Sequence, residues 1–510
     1  MLLGATTGGR FMTNTARPDF AALAKSLKFR TQAFINGEFV DAVGGEEFET
    51  INPATGEVIT KIAECDARDV DIAVAAAKAA FEDGRWSKLA PKERKRALQR
   101  LAALVEQNSQ ELALIESLDN GKPVDDAIAA DLPDAVETLK WHAEAIDKLY
   151  DQVSPTASDL VSLVVREPIG VVGAVIPWNF PLAILAMKVG PVLAGGNSVV
   201  IKPAEQTTLS ALRFAELVAE AGIPAGVFNV VTGFGETAGQ ALGRHPDVDC
   251  LSFTGSTEVG RYFLKYSAES NLKRVILELG GKSPAIVMDD VDDLQPIVEQ
   301  LAIGILFSQG ENCSAGSRLL VHEKIKDRLL EALLEHFKTW NVGDPLVEGT
   351  RIGAVIEEKH MNRILGYIES GLKEGGRLVC GGKRVREETG GFYIEPTIFD
   401  GVNNAMTIAR EEIFGPVLSV ITFKTVEEAI QIANDTPYGL AASLYTNNLH
   451  VAHKVSRAIR AGTVSVNCFS EGDQSVPFGG FKQSGFGGRE KSFHAHDQYT
   501  EVKTIWMQLK

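Results

Sequence analysis

The sequence predicts an α/β protein: a doubly wound domain on a parallel sheet, a second α/β domain and a small β element. Three observations predict this. Short apolar runs alternate with helix-length stretches over residues 171–279, a second such series follows Gly280, and two β-rich segments stand outside both. At 510 residues the chain exceeds the length at which one hydrophobic core stops growing, so two or more modules are expected.

Residues 1–150 read as mostly helical and packed around the first sheet. Residues 94–118 and 135–149 are the plainest helices, and 53–56 reads as a turn. The β-rich segments, 160–166 and 499–508, suit strands that pair outside either core and serve subunit contacts. The runs 171–176, 198–201, 227–231, 250–254 and 275–277 are continuously apolar, as strands buried on both faces are. Between them, 209–221 is long enough for a crossover helix, with Thr207 and Thr208 as caps and Gly222 as its stop. Repetition of strand and helix gives a parallel sheet wound on both faces. The second series runs to about Val476, punctuated by Gly381-Gly382, Gly390-Gly391 and Gly415-Pro416.

Charge and cysteine usage exclude several function classes. Acidic residues number 67 against 51 basic ones, and the net charge of -16 repels nucleic-acid backbones and anionic membrane surfaces. The five cysteines are widely spaced and odd in number, with no CxxC or Cys/His spacing for a metal, so no metal and a reduced, cytoplasmic setting are expected. No apolar run reaches the ~18 residues of a membrane span. The first 15 residues lack the apolar core of a signal peptide. Residues 1–16 read as a disordered extension, with Met12 an alternative start.

Three residues stand out chemically. Cys313 lies in the small-residue stretch Gln309-Gly310-Glu311-Asn312-Cys313-Ser314-Ala315-Gly316. A lone cysteine is commonly an inert core residue, and at its free pKa near ~8.5 it needs activation to act as a nucleophile. Glu278 ends a strand just before Gly280-Gly281, where binding crevices form; pairing with Lys282 is the alternative. Asn179, held between Pro177 and Pro181, can donate to an oxyanion or close an Asx turn.

Seven motifs carry a resemblance. They are Pro177-Trp178-Asn179-Phe180-Pro181-Leu182, Lys202-Pro203-Ala204-Glu205, Phe253-Thr254-Gly255-Ser256, Leu277 through Pro284, the Cys313 loop, Glu411-Glu412-Ile413-Phe414-Gly415-Pro416-Val417 and Pro477-Phe478-Gly479-Gly480. In order and spacing they resemble the aldehyde dehydrogenase superfamily, from about Phe34 to the C-terminus. The resemblance implies a Rossmann-like NAD-binding domain over 17–149 and 170–279, a catalytic domain over 280–480, and oligomerisation strands at 150–169 and 496–510 of a homodimer or homotetramer.

It also implies roles. Cys313 attacks the aldehyde, Asn179 and the Cys313 N–H hold the oxyanion, and Glu278 activates the water that releases the acid. A proton path runs from Glu278 through Lys188 to Glu490. Gly485-Phe486-Gly487-Gly488-Arg489-Glu490 carries one residue more than the family pattern, which puts Glu490 in question. No GxGxxG follows a strand. Instead Gly255 and Gly260 frame a helix start that favours a phosphate anion. NAD is then held by Ile176, Pro177, Trp178, Lys202, Glu205, Gly255, Ser256, Leu279, Gly280, Glu412 and Phe414. Glu205 near the ribose hydroxyls favours NAD over NADP.

Within the superfamily the chain looks most like dehydrogenases of 4-aminobutyraldehyde derivatives, the γ-glutamylamino and guanidino forms included. Residues 472–485 and 494–506 carry this likeness. By resemblance Asp134, Phe180, Met187, Phe307, Asp473 and Phe478 line the substrate tunnel. An apolar tube with acids near its mouth suits a cationic tail, with Asp473 aided by Asp134 as the expected partner; solvated surface acids are the alternative. Competing functions are a CoA-acylating semialdehyde dehydrogenase, a general aliphatic aldehyde dehydrogenase and a catalytically silent relative.

Overall fold

In the computed structural model, residues 17–509 are described. The expected extension and the alternative start at Met12 lie outside them. The first sheet contains five parallel strands, β1 (Val171–Val175), β2 (Ser198–Lys202), β3 (Phe228–Val230), β4 (Cys250–Gly255) and β5 (Arg274–Leu279). Their spatial order is β3-β2-β1-β4-β5, so the winding reverses between β1 and β4. All five run within a residue or two of their expected bounds. β1 and β2 are buried at every position, which continuous apolar sequence between two helix layers requires.

Two apolar clusters cover the faces of this sheet. Helices Pro91–Gln107, Leu132–Ala145, Pro181–Ala194 and Leu209–Glu220 pack on one face, and Ala67–Glu82 and Thr257–Glu269 on the other. The N-terminal region is less helical than its sequence reads. Ala33–Ile35 and Glu38–Val40 form a hairpin that extends the sheet beyond β3, and Glu47–Ile51 pairs with Val58–Ala63 around the expected turn. These strands are three to six residues long and too short to show a period.

The helix expected over 94–118 is two helices, Pro91–Gln107 and Ser109–Asn120. Asn108 breaks it: its amide donates to the Leu104 carbonyl while its carbonyl oxygen accepts from Arg213. The helix expected over 135–149 runs Leu132–Ala145, after a wide turn at Ala127–Asp131. Thr208 does precede the helix Leu209–Glu220, but its hydroxyl donates to the Ala204 carbonyl and caps nothing.

The second sheet holds β6 (Pro284–Val287), β7 (Arg318–His322), β8 (Arg377–Cys380), β9 (Thr397–Asp400), β10 (Val417–Phe423), β11 (Ala441–Tyr445) and β12 (Thr463–Val466). They lie in the order β8-β9-β10-β7-β6-β11-β12, parallel except for β8. A short strand β13 (Gly485–Phe486) returns to pair antiparallel with β5. The two β-rich segments pair with each other: Thr500–Gln508 runs antiparallel to Leu160–Pro168, and Gln152–Ser154 completes a third sheet. Val153, Val502 and Trp506 are exposed on it. Among the described residues no helix is long and apolar enough to cross a membrane.

Two buried histidines fasten this tail to the first domain's helices. His142 Nδ1 lies 3.0 Å from His496 Nε2, and both residues are almost fully enclosed. Burial pushes His496 down to about 4 and His142 well below the usual imidazole value. An unfolded chain takes these protons near 6.5, whereas the folded one takes the His496 proton only near 4. Stability is therefore full above pH 6.5 and falls as pH drops towards 4. At pH 5 the loss from His496 is about 2 kcal/mol. Thermal unfolding midpoints between pH 7.5 and 5 should fall less in His496→Asn than in wild type; parallel curves would remove the pair from the account.

Candidate active site

The site forms where the carboxyl ends of the first sheet's strands meet the loops that enter β6, β7 and β10 of the second. β1 leads into Ile176-Pro177-Trp178-Asn179, and the Asn120 side chain donates to the Trp178 carbonyl at 2.8 Å, fixing that stretch. Asn179 is buried, its Nδ2 donates to the Glu311 carbonyl at 2.9 Å, and no N–H among the described residues donates to its Oδ1 to close an Asx turn. The next helix, Pro181–Ala194, opens with a proline at its first turn and carries Met187 and Lys188 inward.

Cys313 is presented by a constrained approach. The helix Gln295–Leu306 ends at Phe307, and Ser308, Gln309 and Gly310 follow with φ of 50°, 57° and 75°. Three successive left-handed residues are costly and cluster at functional sites. At Gly310 a Cβ would lie 2.4 Å from the Gly415 carbonyl carbon, so the loop packs directly on the Gly415-Pro416 turn. The buried Glu311 side chain accepts from the Ile356 N–H at 2.9 Å, and Asn312 Oδ1 accepts from the Ser314 N–H at 3.0 Å.

Glu278 stands near the end of β5 with one carboxylate oxygen buried and without a hydrogen-bond partner. It is not paired with Lys282, whose ammonium also lacks a partner and is pushed by burial down to about 7. Burial and then the charge of Glu490 hold the Glu278 carboxyl well above the ordinary range, so it binds a proton more strongly than a free carboxylate does. Lys188 forms a buried ion pair with Glu490. In the stretch whose extra residue put Glu490 in question, Gly487 has φ of 85°, and Glu490 exchanges backbone hydrogen bonds with Phe478.

Two cavities share Cys313, Glu278, Thr254 and Ile184. The tunnel, about 160 Å³, is lined by Asp134, Phe180, Met187, Phe307 and Phe478, as expected. That is roughly ten times the ~10–15 Å³ a single water occupies. Phe180 and Phe307 stack at 6.2 Å across it. Asp473 does not join them: it is exposed, and its carboxylate accepts from the Ser475 N–H and hydroxyl. Glu471, Glu137, Asp131 and Lys491 take part instead. Glu471, two residues from Asp473 in the same loop, and Glu137 are acids that the sequence did not disclose. No period distinguishes neighbours in a loop.

The second cavity is a cleft lined by Pro177, Trp178, Gly255, Ser256, Leu279, Gly280, Glu412 and Phe414. Glu357, Lys359, His360 and Arg363 also line it and had no signal in the sequence. Ile176 is buried behind the cleft, and Lys202 Nζ meets Glu205 at 2.9 Å at the end of β2. Ser256 caps the helix Thr257–Glu269, accepting from the Val259 N–H at 3.3 Å. A dinucleotide fits this donor set: a helix N-terminus for phosphate and carboxylates at Glu205 and Glu412 for ribose hydroxyls. At Gly280 a Cβ would fall 2.0 Å from the Glu412 carboxylate, so a side chain there would displace that carboxylate. Burial brings Glu412 up to about 7.

The sequence pattern of the aldehyde dehydrogenase family matches residues 39–505. The chain belongs to the aldehyde dehydrogenase family. It is 55% identical to aminoacetaldehyde dehydrogenase of Pseudomonas aeruginosa, over 96% of this chain and 98% of the relative. A solved structure of P. syringae AldA, an indole-3-acetaldehyde dehydrogenase in complex with NAD+ and IAA, is 55% identical with a TM-score of 0.95. It covers 96% of this chain and 99% of its own. The γ-glutamyl-γ-aminobutyraldehyde dehydrogenase of Burkholderia cenocepacia J2315 is 53% identical, again with TM-score 0.95, covering 96% and 99%. The expected fold, and the expectation of an NAD-dependent aldehyde oxidoreductase, are borne out.

Acidity does not single out the nucleophile in this aldehyde dehydrogenase. Burial pushes Cys65 and Cys380 up to about 11 and Cys250 up to about 12, and raises Cys313 as well. Position does: of these four, only Cys313 lines both cavities. Because its thiol is raised, the thiolate fraction grows about tenfold per pH unit up to the raised value. Iodoacetamide should therefore label Cys313 before Cys65 and Cys250 in peptide maps, about 10-fold faster at pH 8 than at pH 7. A flat rate across that range would contradict this reading.

Proposed function

We propose that the protein oxidises an ω-amino or guanidino aldehyde to its carboxylic acid, with NAD, through a thioester on Cys313. The observation that carries the reading is that Cys313 and Glu278 both stand where the cleft meets the tunnel. Cys313 attacks the aldehyde carbon, and the oxygen of the thiohemiacetal receives the Asn179 amide and the Cys313 N–H. NAD, when bound through Lys202, Glu205, Ser256 and Glu412, supplies the hydride acceptor. Glu278 then takes a proton from the water that attacks the thioester, and the Lys188–Glu490 pair carries that proton away. Glu278 beside the thioester favours water over CoA as acceptor.

The substrate class rests on the tunnel's charge. Besides Glu278 at its inner end and Asp131, which is paired with the buried Lys122, Asp134, Glu137 and Glu471 line it against one cation, Lys491, which lies 4.0 Å from Asp134. Three carboxylates against one ammonium favour a cationic tail over an alkyl one. Relatives named for aminoacetaldehyde and γ-glutamyl-γ-aminobutyraldehyde support the same class. The exposed third sheet suits contact between copies in a homodimer or homotetramer, and the three separate sheets support a division into residues 17–149 with 170–279, 280–480, and 150–169 with 496–510. Five free cysteines suit the cytoplasm. Light scattering should give two or four times the 55.0 kDa chain mass; a monomer would refute the contact.

Steady-state kinetics test the reaction. Asn179→Ala should lower kcat by ~10²–10³. Glu278→Gln should leave a burst of NADH followed by turnover slowed by ~10²–10⁴. Wild type should show kcat/KM at least about tenfold higher for 4-aminobutyraldehyde and 4-guanidinobutyraldehyde than for butyraldehyde, the ratio expected from ~1.4 kcal/mol of ion pairing. Equal values would refute the substrate class, and a Cys313→Ala enzyme that still turned over would refute the mechanism.

A further inference from the structure

Glu471 occupies an unusual place for a tunnel acid. It lines the tunnel together with Cys313, and it accepts a hydrogen bond from the hydroxyl of Ser314, the residue next to the nucleophile. Ser314 is itself locked, its N–H and hydroxyl both lying 3.0 Å from Asn312 Oδ1. The carboxylate is thus tethered beside the thiol. Asp134 is engaged elsewhere, by Gln474 Nε2 at 2.7 Å and by Lys491. Glu471 carries no ion pair among the described residues.

The carboxyl groups that face the thiol are Glu278 and Glu412 from the cleft, both raised by burial, and Glu471 from the tunnel, whose wall also carries Lys491. After burial, Glu471 is the largest cause that holds the Cys313 thiol protonated. A bound substrate cannot remove burial, nor can a neutral aldehyde offset Glu471. An ammonium in the tunnel can.

We propose that Glu471 is a charge gate on the nucleophile: it restrains Cys313 in the empty tunnel and releases it when the ammonium of an amino aldehyde pairs with its carboxylate. The substrate's cation thereby promotes loss of the thiol proton to solvent, and selects its own class at the step of attack. This rests on the amino-aldehyde reading of the tunnel. It adds that Glu471 acts on kcat/KM through the thiol and not only through binding. Short chains profit most, because the tether keeps Glu471 close to the reacting carbon.

Glu471→Gln keeps an acceptor for Ser314 and removes the charge. Without substrate or cofactor, the pH profile of Cys313 alkylation by iodoacetamide should move down by about one unit in the variant, a tenfold faster reaction at fixed pH. A matched substrate pair, 3-aminopropionaldehyde and its methyl isostere butyraldehyde, reads the second half. The kcat/KM ratio should fall at least tenfold in the variant, with a gain for butyraldehyde contributing to it. Identical alkylation profiles overturn the restraint. A wild type that prefers the amine, with an unchanged ratio in Glu471→Gln, overturns the gate alone. A wild type without preference overturns the substrate reading, and the gate falls with it.

Discussion

Everything around the site answers one constraint: a thiol and three carboxylates share a desolvated crevice, with a fourth, Glu490, buried behind it, and no metal-ligand grouping among the described residues neutralises them. Charges taken out of water stay there only when geometry holds them apart or supplies partners. Glu490 has Lys188. Glu471 has the Ser314 hydroxyl, and Glu412 has the Gly281 N–H at 2.9 Å. Glu278 has one oxygen with no protein partner, and burial raises its affinity for a proton.

Backbone conformation supplies the rest of the containment. Ser308, Gln309 and Gly310 turn left-handed together, an arrangement that persists only where surrounding contacts over-determine it. The contacts are present: Gly310 against Gly415, Gln309 accepting from the Gly353 N–H, and Glu311 bridging to Ile356. The same turn at Gly415 follows Phe414, itself at φ 60° and edge-on to Trp178 at 5.2 Å. The nucleophile loop and the wall of the cleft are therefore one packed unit, so a shift at either is felt at both.

Legibility in the sequence followed the physics of each element. β1 to β5 were readable because strands buried on both faces must be apolar throughout, and the hairpin Ala33–Ile35 with Glu38–Val40 was not, because three residues carry no period. Asn108 hid a helix break, since its side chain ends one helix within a pattern that stays amphipathic. Cys313, Glu278 and Asn179 could be nominated from local chemistry, although only the family likeness brought them together. Glu137 and Lys491 were beyond reach as tunnel residues, because their convergence depends on packing between distant segments.

The exchange of Asp473 for Glu471 shows where such reading stops. Both acids sit in one irregular loop, and nothing in composition tells an inward from an outward side chain there. Asp473 satisfies itself on Ser475, two residues on, in a local turn that any exposed aspartate can make. Glu471 instead reaches Ser314, 157 positions away in the sequence. A hydrogen bond of that span depends on the closed fold, so the residue that governs the substrate end of the tunnel is the one whose partner could not be near it in the chain.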